Sequence, residues 1–226
     1  MNAKVAIAAV LTFFVNFAIA DNLIYIDQVG SSATININQD GSGNRVGSSS
    51  TNSSSDGAST TMDLDQVGSS NVIDYDITGD DADITVNQQG SSNESTLTIG
   101  TSAGSDSITY TENITGDSND ITTNVGTSAA TEDATITLDV TGDSNTVTIN
   151  ENSTAASITD KITDIDITGS TNTVTATKSG AAQHDTTINH TGSNSTISVT
   201  QGGSQASTVD MSTNGSSSSV TITVSD

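Results

Sequence analysis

The chain has 226 residues, with 27 Asp+Glu against 4 Lys+Arg, a net charge of −23, no Cys and no Pro. That charge excludes nucleic acid and anionic lipid as main partners, and the missing Cys excludes disulfide frameworks, thiolate metal sites and Cys nucleophiles. The acids comprise 23 Asp and only 4 Glu, a bias toward turns and caps that disfavours a helical protein.

Met1–Lys4 is a short basic segment, Val5–Phe17 is apolar, and Ala18-Ile19-Ala20 supplies a small-x-small cleavage site. Residues 1–20 therefore read as a signal peptide, with an exported mature chain beginning at Asp21 and no membrane insertion afterwards. The apolar run is shorter than the ~20 residues of a membrane span.

From there a glycine-anchored frame repeats. Counting from Gly30, Ile24, Ile26 and Gln28 fall at −6, −4 and −2, and Ala33, Ile35, Ile37 and Gln39 at +3, +5, +7 and +9. The same frame recurs around Gly41, Gly68, Gly79, Gly90, Gly116, Gly142, Gly169, Gly192 and Gly215. From Gly90 onward the anchors lie 26, 26, 27, 23 and 23 residues apart, and Gly68 to Gly90 spans 22.

The alternation has period two, so the elements are half-buried strands of four to six residues joined by Gly-x-x-Asn arcs. Gly and Asn tolerate the backbone that tight reversals need. The expected fold is all-β: a β-solenoid of stacked strand-arc-strand repeats with a period of about 22–27 residues. An antiparallel sandwich is the alternative, but its strands need not resemble one another. Residues 21–46 form the first repeat and 62–226 the main solenoid. Gly47–Thr61, rich in Ser, Gly and Thr, reads as a loop or a coil too degraded to bury anything.

Parity places Gln28, Gln39, Gln66, Gln88 and Gln201 inside, together with Asn44, Asn71, Asn93, Asn119, Asn145 and Asn172. Stacked amides would donate and accept along the axis as a ladder, fixing register. The spacing Gln28-x-Gly30-x-x-Ala33-x-Ile35-x-x-x-Gln39-x-Gly41-x-x-Asn44 resembles the curlin repeat. Gln66-x-Gly68-x-x-Asn71-x-Ile73, Gln88-x-Gly90-x-x-Asn93-x-Ser95 and Gln201-x-Gly203-x-x-Ala206 share the pattern. The later copies depart from it, with Ile77, Ile114, Val140 and Ile167 at the first Gln position. The resemblance implies an extracellular curli-like amyloid fibre of biofilm matrix and adhesion. Its partner would be the chain itself or a related subunit, with secretion and nucleation factors.

Outside, Asp or Asn recurs three residues before most arc glycines: Asp27, Asn38, Asp65, Asp76, Asn87, Asn113, Asp139, Asp166 and Asn189. Asp80, Asp117 and Asp143 follow one residue after a glycine. In a stack these acids form columns that Ca²⁺ could bridge, since oxygen ligands suit it. The competing reading is that Asp and Asn merely favour bends, and no other cofactor is expected. Thr-x-Thr at Thr96, Thr135, Thr146, Thr173 and Thr221 opens an ice-binding reading, weakened because the motifs change arm and frame. His184 and His190 are the only imidazoles; His190 takes a Gln position of the frame and reads as a satisfied inward polar group. No enzyme is expected.

The favoured function is a self-assembling fibre subunit. The alternative is a non-polymerising surface adhesin or phage-associated receptor-binding fibre. The discriminating feature is end capping: Val220-x-Ile222-x-Val224 lies near Asp226 with no polar cap.

Overall fold

The computed structural model describes residues 22–30, 32–41, 44–47, 53–56, 58–68, 71–78, 81–90, 93–99, 105–126, 131–152, 160–180, 183–203 and 207–225. The signal-peptide reading, and the positions of Gly79 and Asp80, lie outside these residues. The first strands are β1 (Asp27–Val29), β2 (Ala33–Asp40), β3 (Ser53–Asp56), β4 (Ser59–Val67), β5 (Val72–Thr78) and β6 (Asp81–Gln89). The middle holds β7 (Glu94–Ile99), β8 (Ser105–Thr115), β9 (Asp120–Val125), β10 (Thr131–Thr141), β11 (Thr146–Asn152) and β12 (Asp160–Thr168). β13 (Thr173–Ser179), β14 (Gln183–Thr191), β15 (Thr196–Gly202), β16 (Ser207–Asn214) and β17 (Ser219–Ser225) complete the series.

Odd-numbered strands make one sheet of nine and even-numbered strands a second sheet of eight, each in sequence order. The ladders are parallel throughout. The chain alternates between two facing sheets and returns to each one strand higher: a β-solenoid. At about 4.8 Å per strand, the nine-stranded sheet is about 40 Å tall.

Each coil repeats the phase of the one below. In the first sheet the register advances 22 residues from Val72 to Glu94 and 26 to Asp120. It then advances 26 to Thr146, 27 to Thr173, and 23 to each of Thr196 and Ser219. The variation sits on one edge. The arcs from even to odd strands keep four residues between Thr115 and Asp120, Thr141 and Thr146, Thr168 and Thr173, and Thr191 and Thr196. The other edge absorbs the length differences.

The core is a continuous column of Ile, Val, Leu, Ala, Met and Tyr from both sheets. Strict alternation produces it: β2 reads buried at Ala33, Ile35, Ile37 and Gln39 and exposed at each residue between. Burying an Ile or Val removes about 1.5–3 kcal/mol of apolar exposure per side chain, and every coil contributes several.

The segment 47–61 differs from expectation. Ser53–Asp56 is a strand, and Ser59–Thr61 opens the next. Ser55 and Thr60 are buried, with their hydroxyls 3.0 Å apart. Arg45 bridges Leu23 and Val72, and Ser53 pairs with Tyr75. Eight residues separate Arg45 from Ser53 where three separate Val72 from Tyr75, so five extra residues interrupt a coil that keeps register on both sides. Ser and Thr remain in this core because their hydroxyls satisfy one another across it.

Candidate functional site

The arcs are built first. Gly68 packs on Gly41, Gly90 on Gly68, Gly142 on Gly116, Gly169 on Gly142, Gly192 on Gly169 and Gly215 on Gly192. A Cβ at Gly90 would lie 1.5 Å from the Gly68 carbonyl oxygen, and one at Gly142 would lie 2.0 Å from that of Gly116. With φ of 155° and 139°, these positions exclude side chains on two counts. Gly30 belongs instead to the turn between β1 and β2, on the other edge, and does not join this spine.

The inward Asn residues stand beside the spine, but they do not pair amide to amide along most of it. Asn119 Oδ1 accepts the Asn93 N–H at 2.9 Å, Asn145 Oδ1 that of Asn119 at 2.9 Å, and Asn172 Oδ1 that of Asn145 at 2.8 Å. Their Nδ2 groups close the arcs: Asn119 donates to Gly116 O and Asn145 to Gly142 O. Asn44 and Asn71 donate to strand carbonyls instead, Asn44 to Val67 O and Asn71 to Gln89 O. The Asn column therefore binds backbone to backbone through one side chain. Ser195 Oγ takes over beyond Asn172, accepting its N–H at 3.1 Å.

The Gln residues separate into two columns. Gln39, Gln66 and Gln88 stack in the second sheet, Gln66 donating to Gln39 at 2.7 Å and Gln88 to Gln66 at 3.1 Å. Each also donates to a backbone carbonyl of the facing arm, those of Arg45, Val72 and Glu94. The ladder stops where Ile114 follows Gln88, leaving Gln88 Oε1 without a partner among the described residues. Gln28 and Gln201 lie in the first sheet, opposite Ser55 and Lys178 respectively. They are not rungs of that ladder.

Charged residues also lie inside. Glu151, Lys161 and Lys178 are fully buried, and Lys178 Nζ sits 3.1 Å from Glu151 Oε2. Thr163 donates to the same carboxylate oxygen at 3.0 Å, and Lys178 donates to the carbonyls of Lys161 and Asp185. Lys161 Nζ has no hydrogen bond among the described residues. Burial pulls both lysines below their ordinary values, opposed by the attraction of Glu151. Buried His184 and His190 are likewise lowered, chiefly by burial. His190 is inward as expected, with the Gly169 backbone within its reach, although neither ring nitrogen makes a well-formed hydrogen bond among the described residues.

A second buried acid, Glu112, stands between Val86 and Leu138 in the second sheet. Tyr110 OH donates to it at 2.5 Å, and burial pushes its carboxyl up to about 7. The repeat frame carried the signal for the ion pair. Glu151 and Lys178 lie nine residues after Gly142 and Gly169, the offset of Gln39 from Gly30 and of Gln201 from Gly192.

The outward acids fall into three places. Asp27 and Asp76 flank Ser54 in the first sheet, and Ser54 Oγ donates to Asp27 at 2.8 Å. Asp65, Asp139 and Asp166 share a column of the second sheet with Asn38, Asn87, Asn113 and Asn189. Asn87 donates to Asp65 and Asn189 to Asp166, each at 2.7 Å. Only Asp139 and Asp166 stack carboxylate on carboxylate there, which costs about 1 kcal/mol in water. Asp117 and Asp143 lie on the arcs, accepting the backbone N–H of Asp143 and Ser170 in the next coil. Among the described residues no three His, Asp or Glu are grouped to hold a metal ion.

Threonines are better aligned than the sequence suggested. Four of the five Thr-x-Thr motifs lie in the first sheet. Thr96, Thr122, Thr148, Thr175, Ser198 and Thr221 form one outward column. Thr146, Thr173 and Thr196 form the next column. Only Thr135-x-Thr137 sits on the opposite sheet.

The ends of the stack differ from its middle. Val220, Ile222 and Val224 of β17 are 42%, 46% and 52% exposed, although their columns are buried one coil below. At the other end Ile24 and Ile26 are only partly buried against the core, as are Val209 and Met211 of β16. No protein-family model, no curated protein and no solved structure matches the chain.

Proposed function

We propose that this chain is the structural subunit of an extracellular, curli-like fibre that grows by strand pairing between end coils and supports adhesion within a matrix. The supporting observation is the exposure of apolar residues at the two ends of the described stack. The inward residues of β17 expose about half their surface in columns that are buried in the coils between the two ends. Edge strands carry unpaired N–H and C=O groups that template another strand, and proteins normally blunt them with charge, bulges or covering loops. β17 presents Val, Thr and Ile to that edge instead.

In this reading the buried ladders are scaffolding and the protein performs no catalysis. The outward acidity makes the rate of growth depend on ionic strength, because screening shortens the reach of the charges. The test is incubation of the purified chain with and without Ca²⁺, followed by thioflavin fluorescence and electron microscopy. Fibres with a cross-β repeat are expected, growing faster with the added cation. A chain that stays monomeric in every salt would overturn the reading.

The Thr columns favour a second reading, in which the first sheet orders water as an ice-binding face. Thermal hysteresis or crystal shaping by the monomer would carry it, and absence of both would remove it.

A further inference from the structure

We propose that consecutive subunits stack with a half-turn about the rod axis, the first sheet of one continuing into the second sheet of the next. This rests on the self-assembly reading above and specifies its geometry. The described strands number seventeen, nine in one sheet and eight in the other. If a second copy were stacked by translation alone, its β1 would pair with β17 and its β2 would follow one level too high. A one-strand gap would then remain above β16. A half-turn closes the gap: the second copy's β1 pairs with β16 and its β2 with β17.

The repeat frame makes the half-turn register-preserving. β1, Gly30 and β2 follow the same template as β16, Gly215 and β17. Ile24 and Ile26 lie six and four residues before Gly30, as Val209 and Met211 lie before Gly215. Ile35 and Ile37 lie five and seven after Gly30, as Val220 and Ile222 lie after Gly215. The rotated junction thus sets the four partly buried residues of the two ends on one another and covers the exposed face of β17. The two turns fall on the same edge in the rotated stack, with three residues between β1 and β2 and four between β16 and β17. Outside, Asp27 would face Ser212 and Tyr25 would face Asp210, so no carboxylate meets a carboxylate at the seam. The chain supplies both halves of its own joint only when alternate copies are turned.

Engineered disulfides in the full chain, which has no native Cys, distinguish the two arrangements. In the half-turn fibre Asn36 of one copy lies beside Thr221 of the next, whereas translation puts Tyr25 beside Thr221. The double variant Asn36→Cys with Thr221→Cys is expected to give a ladder of covalent multimers on non-reducing gels once fibres form. Tyr25→Cys with Thr221→Cys is expected to give none. Adjacent parallel strands hold paired Cα atoms within disulfide reach, and the two engineered sites of one molecule lie at opposite ends of the rod.

A ladder from the Tyr25 pair, or fibres with no ladder from the Asn36 pair, overturns the half-turn and leaves self-assembly standing. No fibres from the unsubstituted chain overturns both. Helical reconstruction of the fibre gives an independent reading: a rotation near 180° and a rise of about 41 Å per subunit, from seventeen half-coils at about 4.8 Å per coil. A rotation near zero overturns the proposal.

Discussion

The interior around β2, β4 and β6 and the interior around β11 to β15 have the same backbone and opposite chemistry. The first is held by Gln39, Gln66 and Gln88, each donating to the facing arm, with Gln66 and Gln88 donating also to the Gln one coil before. The second holds Glu151, Lys178, Lys161 and two histidines, with one ion pair and several polar atoms unmatched. An amide is complementary to itself and can repeat in every coil. A charge is not. Glu151 must be followed by Lys178, and the column then returns to neutral Gln201. The repeat can therefore extend an amide ladder indefinitely, whereas an ionic cluster marks particular coils.

The largest expected effect tests that distinction directly. Glu151→Ala leaves two buried lysines without their carboxylate and is expected to destabilise by about 3–5 kcal/mol in urea unfolding. Replacing Glu151 by Leu together with Lys161 and Lys178 by Met is expected to be neutral or stabilising by about 1–4 kcal/mol. Equal loss in both variants would show that the ions contribute more than mutual compensation.

Gln66→Ala removes a donor to Gln39 and an acceptor for Gln88 and is expected to cost about 1–3 kcal/mol. The loss should centre on β2 to β7 in hydrogen exchange, with β11 to β15 unchanged. Protection lost equally across the whole rod would mean that the two interiors are not separable.

Glu112 in β8, between the two regions, and the histidines of the second respond to pH with opposite sign. Glu112 is raised in the folded state, so the fold binds its proton more tightly than the unfolded chain does. Its stabilising contribution is present below the ordinary value of 4.5 and is lost as pH rises to about 7. His184 and His190 are lowered, so their contribution is present above the ordinary value of 6.5 and declines as pH falls through the region below it. Glu112→Gln is expected to flatten the first slope and leave the second, as measured by unfolding midpoints across that range. An unchanged slope would place the titrating group elsewhere.

The smallest effect concerns a feature of the arcs beside β8 to β17. Ser118, Ser144, Thr171, Asn194 and Ser217 adopt φ near +60°. Thr171 is the β-branched member, and Thr171→Asn is expected to raise stability by about 1 kcal/mol or less. A drop would indicate that the threonine side chain makes a compensating contact.

Strand parity, the arc glycines and the return of each coil to the same phase were legible in the sequence because a solenoid writes its geometry periodically. The inward Asn column was legible as position but not as mechanism. Nothing in a string of letters says that Asn145 Oδ1 receives a backbone N–H rather than another amide. The glycine-anchored frame looks alike on both arms, so the sequence alone puts Gln28 and Gln201 in one ladder, and only pairing reveals which sheet each occupies. Parity places Glu112, Glu151, Lys161 and Lys178 inside, but their pairing is not legible in the sequence, since a buried charge is paired through tertiary neighbours rather than sequence spacing. The Thr motifs seemed to wander because connections of unequal length shift the count while the strands remain aligned.

The glycine spine has one more consequence. The arcs at Gly68, Gly90, Gly142, Gly169, Gly192 and Gly215 each lean on the carbonyl of the arc before, so the molecule has a direction and a built-in unit of length. A deletion running from one arc glycine to the next, such as Gly142 to Gly169, would remove one rung and leave both end faces chemically as they were. The rod would shorten by about 4.8 Å. In this architecture reach is a quantity set by copying and erasing whole modules, independent of the surfaces that do the joining.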